Sequence, residues 1–132
     1  MDLVAPPVVF TISYIIIGQI NFKLSKAPEG LDKRRELKYF GHTISFIHST
    51  IALIFGLMVY ISEGGLDYES PPNEYHKWLL GHSMGYMTYD FLISEYMGLH
   101  QFDLRMHHMF TCIGGYTLYL ARSGGSIAIC NC

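Results

Sequence analysis

Two adjacent histidines, His107 and His108, stand near the start of an apolar run from Leu104 to Ala121. Histidine transfers protons near neutral pH, attacks as a nucleophile and ligates metals. Asp90 ends the segment Gly85-Tyr86-Met-Thr-Tyr89-Asp90 in the preceding apolar run. A carboxylate beside an imidazole fixes its tautomer and raises its basicity. Asp90 with either His107 or His108 would therefore make an acid–base dyad. Neighbouring helix positions diverge by ~100°, so the two histidines cannot share one role. One can face a cavity while the other bonds a neighbouring helix; alternatively, both sit among headgroups. Thr111, four residues after His107 and three after His108, is placed to orient either ring.

Further polar groups interrupt the other apolar runs. His48 lies about a third of the way along Tyr39–Ile61, and His42 nearer its start. His82, Gly85, Tyr86, Tyr89 and Asp90 follow three- and four-residue spacing and share one broad helix face. Ionisable groups at bilayer depth cost several kcal/mol, roughly, unless they face a protein interior or a water-filled cavity. A buried aspartate must be paired, protonated or hydrated. Gly81 and Gly85 repeat as a small-x-x-x-small helix-packing pattern. No metal site or cofactor is expected. The histidines do not cluster as non-haem iron needs, His100 lies seven residues before His107, and a bis-histidine haem has only His48 and one of the pair behind it. Cys130 and Cys132 have one residue between them and no second pair, and Cys112 reads as a small buried hydrophobe.

These residues need helices to hold them. Half of the 132 residues are hydrophobic and only 15% are charged, against about a quarter in soluble domains. The charges are clustered, which favours a multi-pass membrane protein, and no basic surface suggests nucleic acid. Four candidate spans follow: Leu3–Phe22, Tyr39–Ile61, Trp78–Met97 and Leu104–Ala121. Each is near the ~20 residues that cross a hydrocarbon core. The first is read as a retained span, since no small-residue cleavage site follows it. The loop Lys23–Lys38 holds six of the nine basic residues, and Leu31 onward suits a short interfacial helix. Ser62–Lys77 is acidic and rich in turn residues. The positive-inside rule puts Lys23–Lys38 in the cytoplasm and the N-terminus on the lumenal or exterior side. A fifth apolar stretch begins at Ile127 and stops at Cys132, so an incomplete domain is expected. The division drawn is 1–36, a first span with its basic loop, and 37–132, the main bundle.

The order Ile44-Ser-Phe-Ile-His48-Ser, Gly85-Tyr86-Met-Thr-Tyr89-Asp90 and Arg105-Met-His107-His108-Met-Phe-Thr111 resembles the TLC domain. Translocating-chain-associated membrane protein and the ceramide synthases share this domain. The match runs from about Leu37 to Asn131 and is most like the small transmembrane-protein-136-type members. The resemblance implies an all-α bundle around a lipid-facing cavity, here as a partial TLC domain in the endoplasmic reticulum. It puts His107 and His108, with Asp90, at a catalytic centre if the chain is an enzyme. His48, His82, Tyr86, Tyr89 and Thr111 would line the cavity. The basic and acidic stretch that precedes the histidine pair in ceramide synthases is reduced here to Gly98–Arg105. Three functions follow as expectations. The first is handling or sensing of membrane lipids in lipid homeostasis. The second is acyl transfer from acyl-CoA to a long-chain base. The third is a structural subunit, a homo-oligomer or a member of a larger membrane complex.

Overall fold

The computed structural model describes residues 5–63, 74–99 and 102–120. Among these the chain is all-α, with four helices: α1 (Ala5–Leu24), α2 (Lys33–Glu63), α3 (Glu74–Tyr96) and α4 (Phe102–Leu120). All four expected helices form, within a few residues except at one end. α2 begins at Lys33, because the interfacial helix foreseen from Leu31 is continuous with the second span. Asp32 caps it: its Oδ1 accepts a hydrogen bond from the Arg35 amide at 2.9 Å, satisfying one orphan donor of the first turn. Gly30, at φ 86°, turns the chain into that cap. α3 stops in a Schellman motif. The Leu99 amide bonds the Ser94 carbonyl, the Gly98 amide bonds that of Glu95, and Gly98 takes φ 63°. The acidic connection from 64 to 73, His100, Cys130, Cys132 and the apolar start at Ile127 lie outside the described residues.

α3 is the axis of the bundle. It packs against α1, α2 and α4, most extensively against α1. Every residue from Leu79 to Tyr86 is buried. The close approach of α1 comes from the expected glycine pattern. A Cβ on Gly81 would lie 2.9 Å from Pro6 Cβ; one on Gly85 would collide with Phe10 and lie 2.9 Å from the Pro7 carbonyl oxygen. Thr11 Oγ1 fastens the seam, within hydrogen-bond reach of the carbonyls of Pro7 (2.9 Å) and Gly85 (3.1 Å). The first helix, set apart in the sequence division at residue 36, is thus packed into the bundle.

Two helices, α1 and α2, are long and apolar enough to cross a membrane. α3 and α4 fall short of that measure, because His82, Asp90, Glu95, Arg105, His107 and His108 lower their hydropathy. The outer faces of the first two are apolar. Val8, Ile12, Ile16 and Ile20 form one exposed stripe on α1, and Phe46, Leu53, Ile54, Leu57 and Ile61 are exposed on α2.

Candidate functional site

A cavity of about 600 Å³ opens between α1, α2 and α3, with His108 of α4 in its wall. Its rim is the end of the bundle where α1 finishes, α2 begins and α3 finishes: Phe22, Lys23, Leu37, Lys38, Met97 and Leu99. Its deeper wall is mostly apolar, from Ile15, Ile44 and Ile93, with Ser45, Tyr86, Tyr89 and Asp90 among them. Asn21 braces the rim. Its Nδ2 donates to the Phe40 carbonyl at 3.3 Å and its Oδ1 accepts from Ser25 Oγ at 2.7 Å.

The structure distinguishes the two adjacent histidines. His108 is buried, and its Nδ1 lies 3.3 Å from Asp90 Oδ2. His107 is exposed, does not line the cavity, and its ring centroid is 5.7 Å from that of His108. The dyad expected from sequence thus has a single geometric candidate, Asp90 with His108. The α3–α4 connection that brings them together is clamped by Arg105 Nε to Glu95 Oε1 at 2.6 Å. Thr111 is half-buried on α4 and lies away from this cavity.

Tyr86 and Tyr89 line the cavity, whereas His48 and His82 stand behind Tyr86. Three rings form a stack. His48 lies flat on Tyr86, with centroids 3.9 Å apart and planes 8° apart, and His82 lies on the other side of His48 at 4.8 Å and 18°. Tyr14 of α1 closes the group, its hydroxyl 2.5 Å from His82 Nε2. Ser45 Oγ reaches the Gly41 carbonyl at 3.0 Å and the Tyr86 hydroxyl at 2.7 Å. Serine has one proton. With it on the Gly41 carbonyl, Tyr86 donates to Ser45. The Nδ1 atoms of His48 and His82 are buried without a hydrogen-bond partner among the described residues. The lone pairs of near-parallel stacked imidazoles lie in separate, near-parallel planes, so this pair does not converge on a shared metal ion.

Among the polar residues at or beside the site, Tyr14, Gln19, Asn21, Lys23, Lys38, Ser45 and Ser94 carry no functional assignment from sequence. Tyr14 had a signal, being a hydroxyl in the middle of Ile12–Ile17, where lipid offers it no partner. From sequence, Lys23 and Lys38 mark only the topology. No family model matches this sequence, and no curated protein and no solved structure matches it.

Proposed function

We propose that this chain is an integral membrane protein that crosses the bilayer four times and handles or senses membrane lipids through the cavity beneath Lys23 and Lys38. The observation that carries the reading is the cavity itself. It is within the ~300–1,000 Å³ range of small-molecule sites, mostly apolar, and ringed by a few convergent polar groups. α3 and α4 join the spanning set because the polar groups of α3 are covered by its neighbours, leaving the exposed stripes of α1 and α2 to meet lipid. The basic loop faces the cytoplasm, and the rim of the cavity with it. The TLC domain remains the family resemblance behind this reading, with the endoplasmic reticulum as its membrane. Purification into nanodiscs followed by lipid mass spectrometry tests it. About one lipid per chain should co-purify, and Ile93→Trp, which fills the cavity, should abolish retention. Lipid recovered only in proportion to the bulk bilayer, and unchanged by Ile93→Trp, would remove the reading.

A second reading, a ceramide-synthase-like acyltransferase, draws support from the placement of His108 beside Asp90 in the cavity wall. His108 would act as base or nucleophile, with Asp90 orienting it. Labelled acyl transfer from acyl-CoA to a long-chain base decides this. Turnover must be present in the wild type, lost in His108→Ala and kept in His107→Ala.

A further inference from the structure

We infer that the occupant of the cavity is a single-chain amphiphile with an anionic headgroup, seated on Lys23 and Lys38; this rests on the lipid-handling reading above.

Size points to one chain. At roughly 30 Å³ for each water-sized atom, the cavity of about 600 Å³ holds on the order of 20 non-hydrogen atoms. That matches about one acyl chain held within the walls.

Charge points to an anion. Lys23 and Lys38 both line the cavity, and both are exposed at its rim. Neither forms an ion pair with a described residue. The neighbouring basic residues of the chain, Lys26, Lys33, Arg34 and Arg35, follow in the same connection and the first turn of α2. The cavity wall contains one carboxylate, Asp90, already beside His108. It is also remote from the rim: seven helical positions separate it from Met97, about 10 Å at 1.5 Å per residue. Two ammonium groups with no counter-ion among the described residues, at the interface end of an apolar slot, attract phosphate or carboxylate and repel a cationic head. With the headgroup there, the chain runs down past Ile15, Ile44 and Ile93. A polar linkage below the headgroup meets Tyr86, Tyr89 and the dyad.

The test is competition binding to the full chain in phosphatidylcholine nanodiscs, using four probes. They are oleoyl-lysophosphatidate, oleate, oleoyl-lysophosphatidylcholine and dioleoyl-phosphatidate. One or both single-chain anions should bind about tenfold or more tighter than the zwitterion, and which of them does so separates phosphate from carboxylate. Lys23→Gln with Lys38→Gln should erase that preference without changing binding of the zwitterion, and Lys23→Arg with Lys38→Arg should keep it. Both lysines are exposed, so the fold survives either change. Equal binding of anion and zwitterion, untouched by the double glutamine variant, overturns the inference and leaves the lipid-handling reading standing. Equal binding of the two-chain phosphatidate overturns the single-chain assignment. Failure of every probe to bind overturns both.

Discussion

Tyr14 of α1 and His82 of α3 share a hydrogen bond in the buried centre of the bundle, hydroxyl to Nε2 at 2.5 Å. The bond joins two helices that are not consecutive in the chain, and it gives His82, 1% exposed, its described partner. A buried imidazole with no partner loses the full cost of its desolvation, about 1–3 kcal/mol. Tyr14→Phe should therefore lower stability by about that amount in thermal unfolding. Tyr14→Phe combined with His82→Phe removes both polar groups and should recover most of the loss. A double variant less stable than the single one would show that packing around the rings, and not the hydrogen bond, sets the cost.

Asp90 and His108 make a second contact between helices, Oδ2 to Nδ1 at 3.3 Å, an ion pair when the imidazole is protonated. His108→Ala leaves a half-buried carboxylate without its imidazole, and should cost about 1–3 kcal/mol. The exposed His107 should tolerate alanine within about 0.5 kcal/mol. Unfolding of the two variants side by side checks this, and equal effects would contradict the orientation of α4 described above.

The glycines offer a graded series. Gly85→Ala puts a methyl group against Phe10 and the Pro7 backbone, which cannot yield, so the expected cost is about 1–3 kcal/mol. At Gly18 the added carbon meets the end of the Tyr89 ring, a side chain with no backbone beside it, so the expected cost is smaller than at Gly85. Gly114 has nothing within 4 Å, and alanine there should gain up to about 1 kcal/mol from helix propensity. Stability should rank Gly114→Ala above Gly18→Ala above Gly85→Ala. A loss at Gly114 would mean that another surface covers that face of α4.

The proposed four-span topology is open to direct labelling. In a background with the native cysteines changed to serine, Lys26→Cys should react with a membrane-impermeant maleimide only from the cytoplasmic side. Glu74→Cys should react only from the opposite side. Labelling of both positions from one side would rule out an odd number of crossings between them.

Much of this arrangement is legible in the residues themselves. Apolar length located all four helices, and the Gly81–Gly85 repeat announced a close contact on α3. Asp90 stood out as a carboxylate in an apolar run. What sequence could not supply was azimuth. The 100° between His107 and His108 says that they diverge, but which one turns inward depends on how α4 is rotated against α3. Nor could it name the partner of the glycine stripe. Connectivity suggests α2 or α4 as neighbours of α3, whereas the tightest contact is with α1. The position of Lys23 and Lys38 is hidden for the same reason: they line a cavity only because α1 and α2 converge at that end.

The central helix carries a consequence for biogenesis. α3 is the least suited of the first three helices to enter lipid alone, and its burial is supplied chiefly by the two helices that precede it. A ribosome delivers those two first. By the time α3 emerges, the glycine-matched groove of α1 and the imidazole of His48 on α2 are already synthesised. In the proposed four-span arrangement, its polar residues pass from the insertion machinery to protein neighbours without being solvated by hydrocarbon. Moving α1 to the end of the chain, by circular permutation, would leave the final fold chemically complete but make α3 wait for its principal partner.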